Sequence, residues 1–196
     1  MRVAYTPQKL SARVDQMGRS ISRDYAGSTV DVVAILENSF LFAADLVRKI
    51  RRPVVCHFVR SEMRDVQMGG YDRREIFFSS PPTTLRGRDV LVVDAVLNTG
   101  VTQDFLMKRL EEAHPRSLRL AVLFDKPEAR RVNVQAEYTG FAGASKYWVG
   151  YGLGGREGLY RNLPYVAVAP GYSGRAGTRR RGTAKRRVGK GSKGLR

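Results

Sequence analysis

The 196-residue chain predicts an α/β domain with a mainly parallel, twisted sheet flanked by helices. Three observations carry that prediction. Short, mainly apolar segments such as Val30–Leu36 and Asp89–Asp94 fit strands buried on both faces. Segments with apolar residues at helical spacing lie between them, and strands alternating with helices form parallel crossover units. A chain of this length buries enough apolar surface to fold as one domain without staples, and Cys56, its only cysteine, has no intrachain disulfide partner.

Taken in order, Pro7 to Tyr25 reads as an amphipathic helix, because Leu10, Val14, Met17 and Ile21 recur at spacings of four, three and four. Val30–Leu36 is the first buried strand, and Ser39 to Ile50 follows as a helix with Phe42, Leu46 and Ile50 on one face. Val54 to Val59 is a second strand. The stretch from Arg60 to Asp72, polar and containing glycine, is expected to be a mobile loop able to close over a site, with Arg74 to Phe78 returning as a strand. Asp89–Asp94 (DVLVVD) is a strand, Thr102 to Ala113 a helix, and Leu118 to Phe124 and Tyr147 to Tyr151 further strands. Ligands of such sheets bind beyond the carboxyl ends of the strands, so chemistry is expected in the loops after Leu36, Val59, Asp94 and Phe124.

Charge divides the chain. Residues 171–196 hold ten Lys and Arg and no acid, which leaves +7 of the formal +17 for residues 1–170. With Gly, Ser and Thr between its charges and almost no apolar residues, the tail is expected to be disordered, because it cannot bury enough surface to offset its ordering entropy. Two readings fit it: a solvated charge run, or an arm that binds polyanions such as nucleic acid without sequence preference, since Tyr172 is its single aromatic residue. Cys56, His57 and His114 are too few for a Cys/His zinc site. The N-terminus lacks the apolar stretch of a signal peptide, and the longest apolar runs are interrupted by Glu37, Asn38, Asp45 or Asp94; the expectation is a cytoplasmic protein with no membrane partner.

The segment LVVDAVLNTGVTQDF sets Asn98, Thr99, Gly100, Val101 and Thr102 between a buried strand and a helix N-terminus. Backbone N–H groups there, with the positive end of the helix dipole, favour a phosphate, the Thr99 and Thr102 hydroxyls can add hydrogen bonds, and Gly100 permits close approach. Turn chemistry alone leaves a second reading open, in which Asn98 and Thr99 merely cap the helix.

A hydrophobic strand, an acid, two apolar residues and then Thr-Gly resembles the ribose-phosphate motif of type I phosphoribosyltransferases. With ISRDYAG, FLFAADLVR, LFDKPEAR, YTGF, KYWVGYGL and YRNLPY in the same order, the resemblance runs from Tyr5 to Val168 and is closest to the hypoxanthine-guanine phosphoribosyltransferases. It implies the type I fold with a small hood built from the terminal parts, over residues 1–170. It also implies a purine-salvage reaction that moves 5-phosphoribosyl from phosphoribosyl diphosphate to a 6-oxopurine, gives IMP or GMP, uses Mg2+, and takes place in a homodimer or homotetramer. By position, Asp94 holds the ribose hydroxyls and is the candidate metal residue, while Asn98 stands where purine enzymes carry a proposed catalytic Asp. Lys126 lies near the base and reacting ribose, Lys146 meets the purine 6-oxo group, Tyr147 stacks on the base, the Trp148 backbone meets its exocyclic edge, and Arg161 contacts pyrophosphate.

The chain also departs from the pattern. Ala95 takes the place of the second acid, and Gly154-Gly155 the place of an Asp-Tyr step whose Asp helps position magnesium. The mobile loop's Ser-Tyr pair falls around Met63-Arg64. The family's first loop carries a Lys-Gly step whose unusual peptide bond helps bind pyrophosphate; Glu37 and Asn38 stand there instead, so a carboxylate is expected to repel the anion unless it serves on the metal side. Two further readings therefore stand beside the enzyme: a catalytically weak or inactive purine-nucleotide-binding relative acting through its polyanion-binding tail, and, from the single-acid DAVLNTG loop, a transferase acting on another base such as uracil.

Overall fold

The structure is a computed structural model that describes residues 1–68, 71–78, 85–143 and 147–169. The expectations placed on Lys146 and on the tail at 171–196 lie outside the described residues. The main sheet contains β2 (Val30–Leu36), β3 (Val54–Met68), β4 (Tyr71–Phe78), β5 (Asp89–Leu97), β6 (Ser117–Asp125) and β7 (Tyr138–Ala142) in the order β4-β3-β2-β5-β6-β7. All its pairings are parallel except β3 with β4. A smaller antiparallel sheet, β1-β9-β8, is made from β1 (Val3–Tyr5), β8 (Trp148–Val149) and β9 (Val166–Val168), so both ends of the described chain build the hood.

Helix α1 (Pro7–Asp24) starts where the Thr6 side chain accepts the Lys9 N–H and Pro7 opens the first turn. It buries Leu10, Val14, Met17 and Ile21, the stripe that the sequence spacing predicts. This stripe packs in one core with Phe42 and Leu46 of α2 (Phe40–Val47) and with Val32 and Val93 of the sheet. On the opposite face, Leu106 and Leu110 of α3 (Val101–Glu111) pack with Val33, Val92 and Val122. Alternate residues of the central strands thus feed opposite layers, and nearly every residue of β5 is buried.

The N-terminal ends of these strands are held by ion pairs. Asp31, buried in β2, accepts from Arg88 Nε at 2.7 Å and lies 2.9 Å from His57 Nε2. Asp89 of β5 pairs with Arg116 and accepts the Ser117 hydroxyl at 2.7 Å; the arginine holds its carboxyl well below the usual carboxylate range. The clamped strand ends leave the carboxyl ends to carry the working loops.

One element differs in kind from expectation. Residues 60–68, read as the start of a loop, continue β3, which pairs with β4 from Ser61 opposite Phe78 to Met68 opposite Tyr71. An antiparallel ribbon satisfies its backbone groups by mutual pairing, so a polar composition does not exclude strand. Strands β1, β7 and β9 were not anticipated: β1 and β9 have three residues each, and the β7 sequence YTGFA is interrupted by a glycine.

The hood is fastened to the main sheet through aromatic rings. Phe124, buried in β6, lies 4.5 Å from the Trp148 ring, 5.6 Å from Phe141 and 5.0 Å from Tyr5. Phe124→Ala is expected to reduce stability by about 3–5 kcal/mol, read as a lowered urea midpoint. The fluorescence of Trp148, the only tryptophan, is expected to shift with it.

Candidate active site

Strand β5 ends at Leu97, and α3 begins at Val101. The residue that ends the turn and caps the helix is Gly100, at φ 82°, and the cap makes no side-chain hydrogen bond. Asn98 and Thr99 therefore do not serve as helix caps, and the first N–H groups of α3 point outward with no side-chain cap across them. Glycine is required at 100 twice over, because that φ is left-handed and an added Cβ would lie 2.6 Å from Val134 Cγ1. The β6–β7 connection buttresses the turn: the Thr99 carbonyl accepts from Arg131 N at 2.9 Å, and the Asn98 carbonyl accepts from Arg130 Nη1 at 3.0 Å. Arg130 is held in turn by Asp125.

Asp94 lies on β5, ahead of this loop, and is buried. Its carboxylate accepts from Ala95 N at 2.6 Å and from Gln103 Nε2 at 2.5 Å, while the same Gln103 amide reaches the Val96 carbonyl at 3.3 Å. Burial pushes the Asp94 carboxyl up to about 7, against the lowering effect of these hydrogen bonds. Gln103 was not picked out from the sequence, although a signal was there: it is a polar residue on the buried stripe that α3 completes with Leu106 and Leu110.

The far wall comes from the hood and the end of β6. Trp148 is buried, and Lys126 Nζ sits 4.7 Å above its ring. Burial lowers the Lys126 ammonium below its ordinary value. Tyr147 is partly exposed and donates its hydroxyl to the Gly154 carbonyl at 3.3 Å. Trp148 reaches into the core against Phe124 and Tyr5, and its backbone pairs with Val168 in the hood.

The loop after β2 supplies the remaining edge. The Leu36–Glu37 peptide bond is cis. Arg161 Nη1 donates to Asn38 Oδ1 and to the Gly152 carbonyl, both at 2.7 Å, and its Nη2 lies 3.2 Å from Glu37 Oε2. Arg60, on β3, approaches Glu37 Oε1 from the other side at 3.1 Å. Two guanidinium groups thus flank the Glu37 carboxylate.

An open cavity of about 560 Å3 joins these parts, within the usual range for small-molecule sites. Asp94, Asn98, Thr99, Thr102, Lys126 and Trp148 line it, as do Tyr147 and Asn38. Glu37, Arg60 and Arg161 line an adjoining recess that shares Leu36, Asn38 and Ser61 with it. Gly100 and Val101 shape the turn without lining the cavity. Among the described residues, no three His, Cys, Asp or Glu side chains converge as a metal-binding group.

The Asp94 environment carries a sign that can be checked. Between an ordinary carboxylate value of about 4 and the folded value of about 7, the folded protein retains a proton that the unfolded chain has released, so this group makes stability fall as pH rises through that window. The melting temperature of the protein relative to Asp94→Asn is therefore expected to decline from pH 5 to pH 7. A flat difference would mean that burial does not raise the carboxyl.

Comparison with known proteins gives the same picture from independent data. The phosphoribosyl transferase domain family matches residues 4–150. The hypoxanthine-guanine phosphoribosyltransferase of Dictyostelium discoideum is 35% identical over 170 residues, covering 84% of this chain and 92% of that protein. The enzyme of the same name from Streptococcus pneumoniae R6 is 33% identical over 169 residues, covering 85% and 92%. Among solved structures, a hypoxanthine-guanine phosphoribosyltransferase from Bacillus anthracis superposes with a TM-score of 0.74 at 32% identity, covering 86% of this chain and 96% of that one. The mainly parallel sheet with its terminal hood, the glycine-capped turn after β5 and this breadth of likeness make the chain a member of the phosphoribosyltransferase family, on its hypoxanthine-guanine branch.

Proposed function

We infer that this chain is a purine-salvage transferase that moves 5-phosphoribosyl from phosphoribosyl diphosphate to hypoxanthine or guanine, releasing pyrophosphate and giving IMP or GMP. The observation that carries the reading is a single cavity lined by a helix-N-terminal turn, a buried carboxylate and an aromatic-backed lysine. Each matches one chemical part of such a substrate pair: phosphate, ribose hydroxyls and base.

In this assignment the 5′-phosphate sits on Asn98, Thr99, Gly100, Val101 and Thr102, and Asp94 accepts from the ribose hydroxyls. Lys126 stands by the base and reacting carbon, Lys146, Tyr147 and the Trp148 backbone receive the purine, and Asn38, Glu37 and Arg161 face the diphosphate. The C–O bond to diphosphate breaks as the C–N bond to the purine forms, through an oxocarbenium-like centre, and the imidazole N–H proton of the purine is released to solvent. Catalysis therefore rests on holding base and ribose in line and on excluding competing nucleophiles. The Asn98 amide can hydrogen-bond to the base but cannot take its proton at neutral pH, so the general-base contribution of about 10²–10⁴-fold that a carboxylate there supplies is absent.

The carboxylates present fit magnesium that arrives on the diphosphate rather than in a protein cage. Asp94 already accepts two hydrogen bonds, and Glu37 is engaged by arginines. An ion bound in that way would neutralise charge on the leaving group. A nucleotide-binding relative without turnover is the weaker reading, because the turn, Asp94 and Lys126 share one cavity. We assign residues 1–170 to the catalytic domain and 171–196 to a basic, polyanion-binding tail, in a cytoplasmic homodimer or homotetramer. Among the described residues, no helix is long and apolar enough to cross a membrane.

With phosphoribosyl diphosphate and magnesium, pyrophosphate release is expected with hypoxanthine or guanine and not with adenine or uracil. Thr99→Ala is expected to lower kcat/KM for phosphoribosyl diphosphate about tenfold, and Lys126→Ala to lower it for the base. Asn98→Asp, which restores a proton acceptor, is expected to raise kcat about tenfold or more. Binding of IMP or GMP with no release from any base would sink the transferase reading.

A further inference from the structure

Position 103 carries a polar side chain where α3 otherwise turns apolar residues inward. Gln103 is 5% exposed and stands with Leu106 and Leu110 on the buried stripe of that helix. A buried amide is costly unless its hydrogen bonds are made, and a Leu or Met would fill similar space without that cost. The Gln103 Nε2 group lies 2.5 Å from Asp94 Oδ2 and 3.3 Å from the Val96 carbonyl. That carbonyl can only accept, which fixes the amide with its NH2 group toward both neighbours.

The amide oxygen is thereby turned away from them. Gln103 makes no further hydrogen bond among the described residues, and none of their fully buried side-chain oxygens or nitrogens lacks a partner. Oε1 is therefore an atom that solvent reaches, and the opening beside Gln103 is the main cavity, whose wall it forms with Asp94, Thr99 and Thr102. Asp94 is the only carboxylate on that wall, since Ala95, the next residue of β5, packs in the core under α1 and α2. Both Asp94 oxygens are held, one by the Ala95 N–H and one by Gln103, and each keeps a lone pair for a further donor. A carboxylate and an amide oxygen joined through one hydrogen bond form a pair of acceptors. Their complement is a vicinal diol, whose two O–H groups both donate.

We propose that Gln103 is a specificity-determining residue: its amide nitrogen fixes the Asp94 carboxylate, its amide oxygen accepts from the sugar, and the pair selects a cis-diol over a deoxy sugar. The proposal rests on the reading of the cavity as a ribose phosphate site. Thr102 and Gln103 are adjacent in the first turn of α3, so the group that receives the phosphate and the group that reads the sugar are set by one turn of helix. A sugar lacking its hydroxyls leaves both acceptors unmatched, and a site built to bond a hydroxyl rejects the analogue without it. A glutamine that served only to satisfy Asp94 would lose stability on replacement and weaken every ligand alike.

The probes are IMP and its 2′,3′-dideoxy analogue, each titrated calorimetrically into the full chain. The unaltered protein is expected to prefer IMP by about tenfold or more. Gln103→Met, of similar length but without the amide, is expected to weaken IMP about tenfold and to leave the dideoxy analogue within about twofold, so that the preference collapses. Gln103→Leu is expected to do the same, and serves where the first variant fails to fold. Equal weakening of both ligands overturns the proposal, because Gln103 then acts on the structure alone. An unchanged preference in the variants overturns it as well. Pyrophosphate release with a 6-oxopurine by a protein that shows no preference for the diol would overturn the proposal and leave the transfer reading standing. A preference that depends on Gln103, in a protein that releases no pyrophosphate with any base, would refute the transfer reading and leave the role of Gln103 standing. Binding of neither ligand by the unaltered protein overturns both.

Discussion

Everything at the site depends on the fixed register of β5. The strand is paired in parallel with β2 on one side and β6 on the other, and is buried on both faces. A slip of one residue would turn its layers inside out, so the packing of both cores holds it in one alignment. Asp89, clamped by Arg116 and Ser117, fixes the start of the strand, which places Asp94 and the 98–102 turn at its far end at a set height relative to Leu36 and Asp125. Loops from three different strands can converge on a ligand only because their strands end together.

On that frame the protein uses carboxylates in three distinct ways, decided by surroundings rather than by residue type. Asp89 and Asp31 are tied to arginines at the closed end of the sheet and serve structure. Asp94 accepts hydrogen bonds from backbone N–H groups and the Gln103 amide, but burial dominates and its proton affinity rises. Glu37 is exposed and shared by two arginines. An aspartate on β5 thus lines the cavity, and a glutamate on the β2 loop lines the recess beside it.

Much of the fold was legible in the sequence, because its elements carry a clear pattern: α1 by its Leu10, Val14, Met17, Ile21 stripe, and β2, β5 and β6 by short, mainly apolar runs. What escaped lacked a period to read. Strands β1 and β9 are three residues long and exist by pairing with each other across the whole chain, and the 60–68 ribbon takes its form from β4, not from its own composition. The candidate site divides in the same manner. The 98–102 turn, Asp94, Lys126 and Trp148 form contiguous motifs that align with a known pattern. Arg60 lies 23 positions from Glu37 and 101 from Arg161 in the sequence, and only the fold brings the three together. Glu37 read alone is an unfavourable charge; its meaning depends on neighbours that one-dimensional spacing does not reveal. Gln103 shows the intermediate case, a polar residue in an apolar stripe whose partner, Asp94, is nine positions back.

The hood gives the chain a particular order of assembly. Val3 pairs with Ala167, and Trp148 with Val168, so the smaller sheet joins the first strand of the chain to the last described one. During synthesis the parallel core can consolidate once β6 and β7 have emerged, whereas β1 waits for a partner more than 160 residues downstream, and closing so large a loop carries an entropic penalty. Trp148, which backs the wall facing Asp94, is locked against Phe124 and Tyr5 only when that closure is made. The half of the cavity built on strand ends thus matures with the core, while the half backed by Trp148 depends on closure of the hood.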